Sequence, residues 1–230
     1  LRGGYIDNLI SQMLNDRLAE LKQQAVPPFQ SATARAADFF LSRTKEAFSL
    51  SISCKQDNIL GGIISAVAAC EQVRQQGFTQ DELNRAKSFR LNHDERKYNE
   101  RNDRRNSRLV NLCVQHFLAG EPLISIATEW ELTQKFDSEV TLQEVNAAAR
   151  DLISDRNQVV IMYAPDKESV PLPAEQQIED VILATQRQHY APYEEKTIGE
   201  SLSSYLSPLT SRQGTVVSER AWQHGFTELT

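Results

Sequence analysis

The spacing of apolar residues changes within the first 54 residues, and this change limits the folds open to the chain. From Tyr5 to Leu21 apolar side chains recur every three or four residues, which predicts an amphipathic helix of about five turns. Pro27 and Pro28 end this helix, because proline has no backbone N–H to donate. From 47 to 54 apolar residues alternate with small ones, which is the period of a strand that buries one face. A helix and a strand that each bury one face predict a two-layer α/β domain.

Capping residues set the bounds of the helices that follow. Asp57 is predicted to cap a second helix, which ends at Gly77, where the chain needs a left-handed residue. Two Thr-x-x-Glu capping boxes, Thr79–Glu82 and Thr141–Glu144, predict the starts of two more helices. A fourth helix and a short helix lie between the boxes, with apolar sides formed by Leu109, Val110, Leu112, Cys113, His116 and Phe117 and by Trp130 and Leu132.

The spacing of apolar residues also predicts which side of each helix and strand faces the core. We expect the strand to bury Phe48, Leu50, Ile52 and Cys54, and the third helix to bury Leu83, Ala86 and Phe89. A second extended segment is predicted around Ala32–Ala36. Val159–Tyr163 is apolar at every position and predicts a strand in the interior of a sheet. Gly61 and Gly62 within the second helix indicate close packing against a neighbour.

The composition and the apolar periodicity of the chain change after Pro165. Residues 166–230 contain one amphipathic helix around Ile178–Ala184 and then a stretch rich in Ser, Thr, Pro and Glu. We therefore predict a domain at 1–165 and, at 166–230, an interdomain linker with one helix that leads into a next domain. The start at Leu1 without a methionine and the strand-like end at Thr230 favour a segment of a longer polypeptide.

Composition argues against two classes of partner. The chain has 25 basic and 31 acidic residues, a net charge of -6, which disfavours binding to nucleic acid or to an anionic membrane. The basic residues between Arg85 and Arg108 are interspersed with acidic ones, as on a salt-bridged helical face in solvent. A nucleic-acid-binding module built on this segment is a remote alternative. No apolar run reaches transmembrane length.

The residue types that carry hydrolytic chemistry do not occur at catalytic spacings. The four histidines are in neither an H-x-x-E-H nor an H-E-x-x-H pattern, and no G-x-S-x-G elbow occurs; they are His93, His116, His189 and His224. His93, Asp94, Glu95 and Glu100 are ligand types, but the residue one turn after His93 is Lys97. We interpret His116 as a hydrogen-bonded core histidine and all three cysteines, Cys54, Cys70 and Cys113, as buried thiols. No catalytic, cofactor-binding or metal-binding residue is predicted.

Three short motifs occur in an order typical of one family. Gly77–Lys87 reads G-F-T-Q-D-E-L-N-R-A-K, Ala119–Pro122 reads A-G-E-P, and Thr141–Val145 reads T-L-Q-E-V. Together with the opening helix they resemble the second domain of the insulinase/pitrilysin-type zinc metallopeptidases, the inverzincins. The likeness covers about residues 3 to 165. The tail, with Gly225–Leu229, is similar to the hinge between the halves of large bacterial members.

The resemblance implies a fold, a role and a set of partners. The fold would be an α+β two-layer domain like that of mitochondrial processing peptidase, with a mixed, largely antiparallel sheet covered by helices and truncated at its first strands. Zinc in the parent enzyme would be bound outside this chain, which would be inactive alone, support the catalytic domain and wall the peptide chamber. Expected partners are the catalytic and C-terminal domains of the same polypeptide and, in the parent, peptide substrates. The expected location is the periplasm or cell envelope of a bacterium. The alternative is a domain of a non-catalytic scaffold homologue.

Overall fold

A computed structural model describes residues 1–38, 46–103, 105–165, 172–194, 219–221 and 227–229. The elements in chain order are α1 (Arg2–Lys22), β1 (Phe29–Asp38), β2 (Glu46–Cys54), α2 (Ile59–Gln76), α3 (Gln80–Asn99), a 3-10 turn (Arg101–Asp103), α4 (Asn106–Ala119), α5 (Ile126–Glu139), α6 (Leu142–Leu152), α7 (Glu175–Gln186), β3 (Glu219–Ala221) and β4 (Thr227–Leu229). The chain forms two compact units, Leu1–Tyr193 and Glu194–Thr230. In the second unit β3 and β4 pair antiparallel.

The core of the first unit is built around α1. Its apolar stripe is almost fully removed from solvent at Leu9, Ile10, Met13, Leu14 and Leu18. The helix packs against β1, α2, α3 and α6, so the stripe predicted from the sequence is the centre of the hydrophobic core. The helix and its buried face are confirmed.

β1 and β2 form an antiparallel two-stranded sheet that packs against this core. Ala34 pairs with Leu50, and Ala36 pairs with Phe48. Phe48, Leu50 and Ile52 are partly buried against the core, while the serines between them are exposed. The alternation in β2 therefore buries the face that the sequence predicted, and the extended segment at Ala32–Ala36 is part of β1.

α2 follows the sheet and approaches it closely. A Cβ atom added to Gly62 would lie 2.9 Å from Sγ of Cys54 and 3.2 Å from the carbonyl oxygen of Pro28. Only hydrogen at this position allows the helix and the end of β2 to come together. The close packing is confirmed, but the N-cap prediction was one residue early, because Asn58 and not Asp57 precedes the first helical residue.

Both threonines cap their helices, but only Thr79–Glu82 forms the complete capping box that was predicted. The Thr79 hydroxyl accepts from the backbone N–H of Glu82 at 3.2 Å, and the Glu82 carboxylate accepts from the N–H of Thr79 at 2.7 Å. The hydroxyl of Thr141 accepts from the N–H of Glu144 at 3.3 Å. These bonds satisfy N–H groups that have no partner inside the helix, which is why α3 and α6 begin where they do.

Three predictions of burial are wrong. α4 has no buried residue, and Phe117 on its apolar side is 86% exposed. Val159–Tyr163 has no regular secondary structure, and its side chains are 39% to 90% exposed. Phe89 on α3 is 61% exposed. Among the described residues no layer covers these side chains, and periodicity predicts an apolar face without supplying the element that buries it.

α7 and the residues that follow it as far as Tyr193 belong to the first compact unit. α7 packs against α2. Side-chain amides of Gln75 and Gln76 on α2 donate to the carbonyl oxygens of Gln188 and Tyr190 at 2.8 Å each. The division at 165 stays a prediction about domains, and the helix predicted around Ile178 forms as α7.

The turn at Gly77 gives a test of backbone strain. Its φ of 76° and ψ of -170° lie in a region that only glycine enters readily, and an added Cβ would lie 2.6 Å from the Asn146 side chain. We expect Gly77→Ala to lower the free energy of unfolding by about 2–4 kcal/mol. Gly120→Ala is the control, because its φ is 71° but no atom lies within 4 Å of the new Cβ, and we expect about 1 kcal/mol. Urea denaturation that gave equal losses would contradict the steric part of this argument.

Candidate functional site

The candidate metal ligands around His93 do not converge. The imidazole is exposed and stacks on the ring of Phe89, with the ring centroids 6.4 Å apart. Asp94 is buried, whereas Glu95 and Glu100 are exposed. Within the described ranges no group of three His, Cys, Asp or Glu side chains can hold a metal ion.

Asp94 is the centre of a charge cluster between α3 and α5. Its Oδ2 accepts from Nε of Arg90 at 2.7 Å and from the Thr133 hydroxyl at 2.9 Å. Nζ of Lys97 lies 3.7 Å from the other carboxylate oxygen and 2.6 Å from the carboxylate of Glu129. The cluster joins two helices through Oδ2 of Asp94, while the buried Oδ1 accepts no hydrogen bond among the described residues. The basic segment thus includes salt bridges, as its mixed charges predicted.

A second buried ion pair connects α1 to the start of α3. Arg17 and Glu82 are 3% and 4% exposed, and two parallel bonds of 2.7 and 2.8 Å join the guanidinium to the carboxylate. The same guanidinium donates to the carbonyl oxygen of Gly77 at 3.0 Å. The sequence reasoning missed this pair. The available signal was a charged residue, Arg17, on the apolar stripe of α1.

Aromatic rings enclose the guanidinium of Arg17. The ring centroids of Phe78 and Tyr193 lie 5.1 and 4.1 Å from its central carbon, a geometry that stabilises a cation over the ring faces. The Tyr193 hydroxyl donates to Glu20 at 2.6 Å. Burial, with a contribution from that hydrogen bond, raises the pKa of Tyr193 well above its usual range. The last residue of the compact unit is therefore fixed onto α1.

The motif from Gly77 to Lys87 has a structural explanation at most of its positions. Phe78, Leu83 and Ala86 are buried in the core. Nζ of Lys87 donates to the carbonyl oxygens of Asp137 and Val140, at the end of α5. A cation at the C-terminus of a helix satisfies carbonyls that lack intrahelical partners and opposes the helix dipole. The turn, the cap, the ion pair and the lysine together join α1, α3 and α5.

The predictions for His116 and for two cysteines are wrong about burial. Nδ1 of His116 is hydrogen-bonded to the carbonyl oxygen of Glu121 at 2.7 Å, as predicted, but the side chain is exposed on α4. Cys70 is buried, Cys54 is half-buried and Cys113 is exposed. Burial raises the pKa of the Cys70 thiol to about 12 and also raises the pKa of Cys54.

These differences predict an order of thiol alkylation. Because the thiolate is the nucleophile, burial and a raised pKa protect Cys70 twice, by access and by charge state. We expect iodoacetamide at pH 8 to modify Cys113 first, Cys54 more slowly, and Cys70 roughly 100-fold more slowly than Cys113. Mass spectrometry of the alkylated peptides measures the order. Denaturant should equalise the three rates, and a Cys70 that reacted as fast in the native chain would contradict its burial.

The buried charges of the first unit thus hold its helices together. Its helix α4 exposes apolar side chains to solvent. The described part of the chain contains no helix with the length and apolar content that a membrane crossing requires. Six exposed apolar residues of α4 form one stripe, which consists of Leu109, Val110, Cys113, Val114, Phe117 and Leu118.

Comparison with known proteins identifies the fold. No family model matches the sequence, and no curated protein matches it. Among solved structures, the periplasmic protease PqqL from Escherichia coli matches 99% of this chain with a TM-score of 0.71 and 18% identity. An insulinase family protease from Yersinia pestis matches 80% with a TM-score of 0.65 and 13% identity. The ferredoxin protease FusC, in complex with Arabidopsis ferredoxin, matches 99% with a TM-score of 0.59 and 12% identity.

The shared structure is part of a longer protease in each case. This chain spans 25% of PqqL, 38% of the Yersinia protein and 26% of FusC. The chain therefore has the α+β fold of a region of insulinase-family proteases, in which helices cover an antiparallel sheet. At this level the resemblance drawn from the sequence motifs is confirmed.

Proposed function

We propose that this chain is a non-catalytic part of a zinc-dependent metalloendopeptidase of the insulinase family. In this role it supports the catalytic domain and forms part of the wall of the chamber that admits peptides. The observation that carries the proposal is the match of 99% of the chain to a quarter of a periplasmic protease. The buried polar side chains agree with a supporting role, because Arg17, Glu82 and Asp94 are bound to one another or to neighbouring helices.

The residues that the structure describes do not fit a zinc site. Catalytic zinc in proteins has three protein ligands and an open position, and among the described residues no three His, Cys, Asp or Glu side chains come together. His93 and His116 lie exposed on different helices. The carboxylate of Asp94 already accepts two hydrogen bonds. We therefore assign the zinc of the parent enzyme to polypeptide outside these residues, and no catalytic step to this chain.

We propose that residues 1–165 form a domain of the parent and that residues 166–230 are an interdomain linker. A structure of the first half of PqqL matches 84% of this chain, whereas the complete protease matches 99%. The larger share matched in the complete protease supports a chain that extends past the first half. We propose that the linker leads towards the second half of the parent. The proposed partners of this chain are the catalytic and C-terminal domains of the same polypeptide. PqqL is a periplasmic protein, and we propose the same compartment here.

Metal content and peptide cleavage test this function. The 230-residue chain and the complete product of its gene are purified without chelator, and zinc is measured by atomic emission. We expect no stoichiometric zinc and no cleavage of an unfolded peptide with the chain. With the complete product we expect one zinc per polypeptide and cleavage that a chelator abolishes.

The same measurements separate the alternatives. Tightly bound zinc in the chain alone would contradict a non-catalytic assignment. A complete product that folds but contains no zinc and cleaves nothing would favour the scaffold homologue. A nucleic-acid-binding role would require salt-dependent binding of RNA or DNA, which the net charge of -6 disfavours.

A further inference from the structure

A short segment follows α7 and lies on α2. It consists of residues 188–193, which we call the strap, and it is neither helix nor strand. Pro192 has no N–H to continue a helix and favours an extended backbone at Ala191. Among the described residues, the backbone of the strap from His189 to Tyr193 makes no hydrogen bond to another backbone group. Side chains of α1 and α2 bind it instead.

A row of glutamines on α2 binds the first residues of the strap. Residues three and four positions apart share a face of a helix, and the row consists of Gln72, Gln75 and Gln76. The Gln75 amide donates to the carbonyl oxygen of Gln188 at 2.8 Å and accepts from the N–H of Tyr190 at 3.0 Å. The Gln76 amide donates to the carbonyl oxygen of Tyr190 at 2.8 Å. A glutamine amide has a donor and an acceptor, as a peptide group does, so the row takes the place of a neighbouring strand.

The last residues of the strap are bound to both α2 and α1. The Gln72 amide donates to the carbonyl oxygen of Ala191 at 3.0 Å and accepts from the Arg17 guanidinium at 3.4 Å. The ring of Tyr193 lies 4.1 Å from the central carbon of that guanidinium, and its hydroxyl donates to Glu20 at 2.6 Å. The strap is therefore bound through its backbone at one end and through one aromatic side chain at the other.

The strap is bound less firmly than the helix that precedes it. Its side chains are exposed except those of Tyr190 and Tyr193, which are half-buried, and none of them belongs to the hydrophobic core. α7, in contrast, has two buried residues, Ile178 and Thr185, and packs against α2. A segment with exposed hydrogen bonds and few buried apolar contacts opens at low free energy without unfolding of the core. These are the properties of a segment that opens by itself while α7 stays in place.

We propose that the strap is a releasable device that sets the free length of the linker between this unit and the part of the parent that follows it. While the strap is bound, the free part of the linker begins after Tyr193, the last residue of the compact unit. On release it begins at the end of α7, and the six residues of the strap add up to about 20 Å of reach. The proposal rests on the proposed function for the existence of a following part. Binding and release of the strap are independent of zinc and of catalysis.

Trypsin cleavage after Arg187 measures release in the 230-residue chain, because that bond joins the end of α7 to the strap. We expect replacement of all three glutamines of the row by alanine to raise the rate of this cleavage about 10-fold. Gln80→Ala is the control, since Gln80 is also an exposed glutamine but its amide bonds to Asn84 within α3. Mass spectrometry identifies the cut, because the neighbouring basic residues in the sequence are Lys167 and Lys196.

Amide hydrogen exchange, resolved by residue, tests release in the unmodified chain. The N–H of Tyr190 donates to Gln75, whereas the N–H of Leu14 lies in the buried helix α1. We expect the Tyr190 amide to exchange about 10-fold more slowly than in an unfolded peptide and at least about 100-fold faster than the Leu14 amide. This result does not depend on the folding of any variant.

The complete product of the gene tests the effect on the linker. Small-angle X-ray scattering compares the unmodified product with the variant that lacks the three glutamines of the row. We expect the variant to have the larger maximum dimension, by up to about 20 Å, because its linker is longer by the length of the strap. The Gln80→Ala product should match the unmodified one.

Three results would overturn the proposal. The first is equal cleavage after Arg187 in the unmodified chain and in the variant without the glutamine row. The second is a Tyr190 amide that exchanges as slowly as that of Leu14, which would make the strap part of the cooperative core. The third is an unchanged maximum dimension of the complete product in the variant. A complete product without zinc and without peptide cleavage would defeat the proposed function and leave the cleavage and exchange results for the strap intact.

Discussion

Replacing Glu82 by alanine is expected to lower the free energy of unfolding by about 3–5 kcal/mol. The change leaves the Arg17 guanidinium, which is almost fully buried, without its counter-charge and without two of its hydrogen bonds. It also removes the acceptor for the N–H of Thr79 and so opens one half of the capping box on α3. Denaturant unfolding followed by circular dichroism measures the loss.

Glu144 is a matched control for Glu82. Each glutamate is the third residue of a helix after a threonine cap, and each binds an arginine of α1 through two bonds. The partner of Glu144 is Arg2, and that pair is more than a third exposed, so solvent screens it. We expect Glu144→Ala to cost a small fraction of the loss in Glu82→Ala. Equal losses would show that the burial of the Arg17–Glu82 pair does not dominate the effect.

A double substitution separates the buried charge from the packing around it. With Arg17→Met and Glu82→Leu together, neither charge remains buried and the apolar volume is largely kept. We expect the double variant to be more stable than Glu82→Ala alone. If it were less stable, the pair would contribute net stability beyond its own desolvation, and the ring contacts of Phe78 and Tyr193 would be part of that contribution.

Much of the fold was predictable because its signals are local. The stripe of α1, the alternation in β2 and the two threonine caps depend on residues within a few positions of each other, and all of them form. Burial was predicted less well at α4 and at Val159–Tyr163, where the sequence has the expected apolar character. Burial depends on a second surface, which local spacing does not encode.

The buried polar contacts between helices could not be predicted from local spacing either, because their partners are far apart in the sequence. Arg17 and Glu82 are 65 residues apart, and Asp94 and Thr133 are 39 apart. From the sequence alone, the Gly77–Lys87 motif showed a resemblance to a family but not the role of its residues. In the structure Glu82 binds Arg17, and Lys87 binds carbonyl oxygens at the end of α5. The two bonds of the Asn15 side chain to the backbone of Ala34 are likewise not encoded locally, because they join a helix to a strand.

Adjacent residues of β2 provide the second test with a large expected effect. Ile52 packs against the core, whereas Ser51 is exposed on the opposite face. Ile52→Asp removes apolar contacts and places a carboxylate against an apolar layer, so we expect a loss of about 3 kcal/mol or more in unfolding free energy. Ser51→Asp adds the same charge in solvent and should change stability by less than about 0.5 kcal/mol.

The comparison of the two variants separates the effect of burying a charge from the effect of aspartate on strand formation. Both substitutions introduce the same residue with the same low β propensity, so a difference between them reports the side-chain environment. The N–H of Ser51 points inward to β1 and the N–H of Ile52 points outward, and neither substitution removes an N–H. Equal shifts in the urea midpoint would show that β2 does not bury the face that contains Phe48, Leu50 and Ile52. The register of the sheet would then be wrong by one residue, because a slip of one position exchanges the two faces.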